Sequence, residues 1–374
     1  GITFKNATII SDMAITFLVS SGDFVLDGVT MSVNNTAAPS AVTISGTAVA
    51  DTTVTLNGTV ITTNGYYGLA VNGENGIVEV IDSTINVNTV STEYASMGIF
   101  FNNGQSLSID ADSVINMSRT GSSNAMTQGV HVGDGSTATV NVAGTLNFTG
   151  TNYTSAVGIA AYGAKGEITI SADIKGFIYG TFIQNGAVNT TEGLVINFTG
   201  DGITENGYGA VLASNATGVT LNADGYTFKA NAVNADEYFG VISMMESTGT
   251  INLVNATVEN VYGDGATSAL YFFNIKDSTG TIDIKGSTLK NTSKWLMAVV
   301  NGGFADIYDV ATIDDTTVLE GYVHIVSFYD EAGEYLGYVN AAHGGDITSL
   351  TPEVPAKDYY NHDANRWALK EDGD

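Results

Sequence analysis

The chain has 374 residues, ample for a large core, of which 44% are hydrophobic and only 14% charged. Its 39 acidic against 12 basic side chains give a formal net charge of −27. Such a surface repels nucleic acid and anionic lipid, and it suits polyanionic substrates only if calcium bridges the charges. There is no cysteine, which excludes thiolate zinc sites and thiol chemistry. No run approaches the roughly 20 apolar residues of a membrane-spanning helix, so membrane insertion by this chain is not expected.

From the first residues onward, two apolar residues separated by one position recur along the chain. The pairs are Ile2/Phe4, Phe24/Leu26, Val54/Leu56, Val78/Val80, Leu107/Ile109, Val140/Val142, Ile168/Ile170, Leu194/Ile196, Val219/Leu221, Ile251/Leu253 and Ile282/Ile284. Successive pairs start 22 to 33 residues apart. A period of two marks strands, and no long stretch carries the 3.6 period of an amphipathic helix. After most pairs comes a small polar break and a further apolar residue, as in LDGVTM, LNGTVI, IDSTIN, VNATVE and IKGSTL. Gly, Asn and Asp at these breaks allow the left-handed backbone that sharp corners need. A second short strand follows in nearly every unit, as in GLAVNG, GIFFNNG, GVHVGDG and GIAAYG.

Each strand is too short to form a sheet alone, so the repeat predicts a solenoid in which each coil buries the inward pair of its neighbours. The fold class is all-β. Residues 1–319 are expected to form a right-handed parallel β-helix of about eleven coils. At the spacing between strands the rod would be about 50 Å long. A β-sandwich or jelly roll is the alternative, but its hairpins would not share one register of apolar pair and polar break. Threonine runs such as TTVT suggest an ice-binding ladder, yet the coil length varies too much to keep one flat face.

Several residues qualify as candidate sites. Tyr67, Tyr179 and Tyr208 each precede a glycine at the start of a second strand, as Met97 and Phe239 do. In a common register they would lie near one another along the rod. Strand alternation would put Tyr67 on the side of Leu69. The tyrosines would then form either an internal stack or an exposed ladder on which sugar rings or a partner protein could stack. If they are internal, binding falls to the variable loops Asn88–Ser96, Ser118–Thr127 and Asn231–Glu237.

A catalytic site is not expected. Of the closest carboxylate pairs, Asp110/Asp112 sits where other coils carry corner residues, and Asp314/Asp315 lies near the junction with the C-terminal segment, where it would serve only to solvate it. The rod holds one histidine, His131, on the face opposite Val130 and Val132. No metal motif is present and no cofactor is expected, although Asp134 in GDGS and Asp264 in GDGA could contribute to calcium loops.

After Leu319 the pattern changes to strand, turn, strand, a Gly-Gly turn, a proline-bracketed connection and an aromatic strand. YDEAGEYLGYV reads as a hairpin with Glu331-Ala332-Gly333 near its tip. Val326, Phe328, Tyr329, Asp330 and Gly333, then His343, Gly344 and Asp346, then Pro352, Pro355 and Trp367 follow one order. In that order the segment 320–374 resembles the internalin-type B-repeat family of Gram-positive surface proteins. It departs in having Arg366 before Trp367, where the family has glycine. The resemblance implies a small β-grasp-like module in a secreted, cell-wall-attached protein and implies no chemistry.

The sequence therefore reads as part of an extracellular, cell-surface bacterial adhesin or stalk that binds a host surface protein or glycan without catalysis. Gly1 opens partway through a coil and the chain stops without a closing element, so signal and anchor are expected outside it. The β-helix fold also hosts pectate lyases and polygalacturonases, and a polysaccharide-cleaving enzyme is the first alternative. A purely mechanical spacer is the second.

Overall fold

Each coil contributes one strand to each of three sheets, which stack eleven, twelve and twelve strands. The computed structural model describes residues 1–19, 22–36, 40–46, 53–73, 76–90, 94–102, 104–120, 125–150, 155–213, 215–230, 240–260, 271–291, 298–301, 303–305, 307–320, 323–329, 333 and 335–342. Except at the C-terminal end of the third sheet, neighbouring strands in a sheet come from successive coils and run parallel. This is the expected parallel β-solenoid. The first sheet is built from the apolar pairs. Ile2 pairs with Phe24 and Phe24 with Val54; Val54 pairs with Val78 and Val78 with Leu107.

Two of the expected pairs are displaced. Ile168 pairs with Ile196 and Ile170 with Phe198; then Ile196 pairs with Leu221 and Phe198 with Ala223. The stacked pairs are thus Ile196/Phe198 and Leu221/Ala223, not Leu194/Ile196 and Val219/Leu221. A slip of two keeps every side chain on its own face. Leu194 and Val219 remain buried at 0% and 1% exposure, so the pattern alone could not tell the registers apart.

The breaks after the pairs turn the chain from the first sheet to the second. Their residues adopt the left-handed backbone expected of them, at Gly28 (φ 64°), Gly58 (55°), Asp82 (44°), Asn255 (51°) and Gly286 (68°). Buried hydroxyls tie one corner to the coil before it. Thr59, Ser113 and Ser287 donate to the carbonyls of Leu26, Val80 and Leu253 at 2.9, 3.2 and 3.0 Å. These bonds satisfy polar backbone that the turn carries into the interior.

The core is one continuous column of aliphatic and aromatic side chains. Phe198, Tyr226 and Phe228 meet there at centroid distances of 4.8 to 5.2 Å, and the Tyr226 hydroxyl donates to the Ala172 carbonyl at 2.8 Å. Most outward positions of the first sheet are polar, and asparagines stack as amide ladders. Asn222 Nδ2 donates to Asn197 Oδ1 and Asn252 Nδ2 to Asn222 Oδ1, both at 2.9 Å. Repetition converts one side-chain bond into a chain of bonds along the rod.

The two ends differ. At the N-terminal end the first pair remains open, with Ile2 61% and Phe4 36% exposed, whereas Phe24 and Leu26 one coil on are buried. At the other end the strand Gly303–Ala305 turns back antiparallel against Ala298–Val300. A single helical turn, Ile307–Val310, follows and sinks Ile307 fully into the core. The strand Val318–Glu320 then adds the last rung to the second sheet. The strands Val323–Tyr329 and Tyr335–Ala342 form an antiparallel hairpin, a two-stranded sheet of its own among the described residues, with Phe328 buried. The remaining residues of the B-repeat resemblance, from His343 to Trp367, lie outside the described residues, and no β-grasp module is shown.

Candidate functional site

The outer face of the third sheet differs chemically from the other two. Its strands carry a glycine column at Gly68, Gly98, Gly129, Gly158, Gly180 and Gly209. A methyl group on Gly68 would overlap Ile85 Cγ2 of the second sheet, one on Gly98 would overlap Ile115 Cγ2, and one on Gly158 would overlap Ile174 Cγ2. The glycines therefore point inward. The next residues, Leu69 and Ile99, are inward as well, at 0% exposure. Two consecutive inward residues break the alternation, a local irregularity that glycine permits. Tyr67 and Ala70 consequently share the outer face. The expectation that Tyr67 lies on the side of Leu69 is corrected: strict period two fails at the glycine.

Two outward columns result. The first, before the glycine, runs Tyr67, Met97, Gln128, Val157, Tyr179, Tyr208. The second, two residues after it, runs Ala70, Phe100, His131, Ala160, Phe182, Val211. Neither contains a charged side chain.

Rings from both columns, with Tyr162 two residues beyond the second, join in one stack along the rod. Tyr67 lies on Phe100 at 5.6 Å and Phe100 on His131 at 5.2 Å, both face to face. His131 meets Tyr162 edge-on at 5.3 Å, and Tyr162 meets Phe182 at 6.3 Å. Phe182 meets Tyr179 at 5.3 Å, and Tyr179 stacks on Tyr208 at 5.3 Å. The stack crosses six coils. Tyr67, Phe100, Tyr162, Tyr179 and Phe182 are half-buried, while His131 and Tyr208 are buried at 8% and 5% exposure. Of the three tyrosines singled out from the sequence, Tyr179 and Tyr208 touch. Tyr67 is linked to them through Phe100, His131, Tyr162 and Phe182. Phe100, Tyr162 and Phe182 are not among the residues that precede a glycine at the start of a second strand. Phe100, His131 and Phe182 instead stand two positions after one, and Tyr162 stands four after Gly158.

Desolvation dominates the electrostatics of the stack. It pushes the hydroxyls of Tyr67, Tyr162 and Tyr179 above the ordinary tyrosine value. It depresses His131 to about 4, so the imidazole is neutral near pH 7. His131 Nδ1 donates to Gln128 Oε1 at 2.7 Å, and the other end of the Gln128 amide reaches the Tyr162 hydroxyl at 3.4 Å. His131 does lie on the face opposite Val130 and Val132, held by rings and one amide.

The length of chain leading into the third sheet varies along the rod. Three residues (176–178) precede Tyr179 and one, Gly207, precedes Tyr208. Five (151–155) precede Ala156, nine (231–239) precede Gly240 and ten (261–270) precede Tyr271.

The other candidates are drawn into structural ties. Asp110 accepts the Asp82 N–H through both carboxylate oxygens and the Ser113 hydroxyl at 2.6 Å, which makes it a corner residue. Asp112 is exposed one turn position away. Asp314 accepts from the Gly286 N–H and from Thr316 and Thr317, and the Thr316 hydroxyl bond leads the causes that hold its carboxyl below the usual range. Asp134 accepts the N–H groups of Val188 and Asn189 at 2.9 and 3.0 Å, pinning the segment 185–194 two coils away. Among the described residues no three His, Cys, Asp or Glu side chains come together as a metal site. Asp264 and the loop 231–237 lie outside the described residues, as do 91–93 and 121–124 of the other two candidate loops.

The chain matches no protein-family model and no curated protein.

Proposed function

We propose that this chain is a display and binding element of an extracellular, cell-surface adhesin, and that the outer face of its third sheet takes a neutral glycan. The aromatic stack from Tyr67 to Tyr208 carries the reading. Five of its seven rings are partly exposed, it runs along the rod, and its rings lie 5.2 to 6.3 Å apart, a spacing of the order of a pyranose repeat. The half-buried rings with their tyrosine hydroxyls offer a sugar an amphipathic surface, and the uncharged columns give an anionic sugar no cationic partner. The surface setting rests on the resemblance of the C-terminal segment to B-repeats.

The test is a glycan and matrix-protein array probed with the intact chain and with Tyr179→Ala. Binding that falls at least tenfold in the variant supports the reading. Binding to nothing on either array leaves the mechanical spacer as the better account. A polysaccharide-cleaving enzyme remains the competing reading because the solenoid fold is compatible with both. Turnover of pectin, alginate or a neutral glycan that disappears in Asp112→Asn would establish it.

A further inference from the structure

The outer face of the second sheet carries a feature that only the register reveals. Its outward column reads Lys175, Glu205, Lys229, Glu259, Lys290, Glu320, one residue per coil and strictly paired coil to coil. The charge changes sign at each of the five steps. Three of the chain's 12 basic residues stand in this one line. The heads reach solvent: the side chains of Lys175 and Glu205 are 43% and 42% exposed, and Lys229 is 30% exposed. Lys229 Nζ bonds Glu205 Oε1 at 2.9 Å, and Glu259 also raises its pKa. Exposed pairs of this kind add little to stability, so register-keeping alone is a weak use for so much of the chain's positive charge.

An even, alternating row is self-complementary about a two-fold axis. Reversed and laid on itself, it sets Lys175 against Glu320, Glu205 against Lys290 and Lys229 against Glu259. We propose that this face pairs antiparallel with a second copy of the chain, about a two-fold axis between Lys229 and Glu259. The net charge of −27 makes two copies repel over most of their surface, and this stripe is where that repulsion reverses. The neighbouring outward column, Ile203, Thr227, Thr257, Thr288 and Val318, is short and β-branched, so two flat faces can approach. The charged row spans five coil spacings, about 24 Å. The contact is therefore at the small end of specific interfaces, below about 1,200 Å², and the pairing is weak and sensitive to salt. A two-fold contact closes at the dimer.

The test is sedimentation of the intact chain over a concentration series, at low salt and at about 0.5 M salt, where charges are screened beyond about 4 Å. A dimer whose dissociation constant rises at least tenfold with salt is expected. Lys229→Glu abolishes it, with circular dichroism confirming the fold. The double change Lys229→Glu with Glu259→Lys restores the dimer, because the opposed charges remain opposite across the axis. Within one chain the same change puts like charges on neighbouring coils, so a row that serves only its own chain would not be rescued. A wild-type chain that stays monomeric at low salt overturns the proposal. So does a double variant that stays monomeric, or an assembly that keeps growing beyond two copies.

Discussion

His131 Nδ1 lies 2.7 Å from Gln128 Oε1, inside a stack that has Phe100 on one side and Tyr162 on the other. Burial holds the folded-state value near 4 against 6.5 for the free imidazole. In that window the unfolded chain binds the proton and the folded chain does not. Stability is therefore full above about pH 6.5 and falls as pH drops toward 4, by about 3 kcal/mol at most. Urea unfolding followed by circular dichroism across pH 4 to 7 checks this, and His131→Phe should flatten that part of the profile.

Tyr179 and Tyr208 form one stacked pair, but they are not equivalent probes. Tyr208 is buried, so Tyr208→Ala should cost about 3 kcal/mol of stability through the cavity it leaves. Tyr179 is half-buried, and Tyr179→Ala should cost less while removing the more open ring. Thermal melts beside the array measurement separate the two. A Tyr179→Ala chain that melts lower than the wild type yet binds equally well would leave the stack a packing feature only.

The glycine column should tolerate no side chain. Gly98→Ala drives a methyl into Ile115 Cγ2 and toward the Gly129 carbonyl. Overpacking of this kind costs about 1 to 3 kcal/mol. A calorimetric melt showing Gly98→Ala at or above the wild-type temperature would mean that the backbone can relax and that the inward turn is not forced.

Ile251 is fully buried between Leu221 and Ile282. Ile251→Asp places an unpaired charge in the column, at a cost of several kcal/mol. Each coil contacts only its neighbours, so the loss should be local. Hydrogen exchange should rise in the strands Val219–Asp224, Thr248–Val254 and Thr279–Asp283 first, while the strands near Val54 keep their protection.

The period of two, the polar breaks and the absence of helical periodicity were enough to determine a parallel solenoid, its inward pairs and its left-handed corners. Each of these depends on residues a few positions apart, where sequence spacing and geometry coincide. The direction of Tyr67 was not legible, because it depends on how closely the backbone at Gly68 approaches Ile85 in another sheet. The register at Leu194/Ile196/Phe198 was not legible either, since three alternating apolar residues fit two registers and the neighbouring coils chose one. The row from Lys175 to Glu320 was hidden for the same reason. Its members are 24 to 31 residues apart, and unequal connections between strands obscure any fixed period. The chain determined which residues face in within each strand; only the stacked structure decided which coil's residues stand side by side, because that alignment is set by backbone pairing between coils.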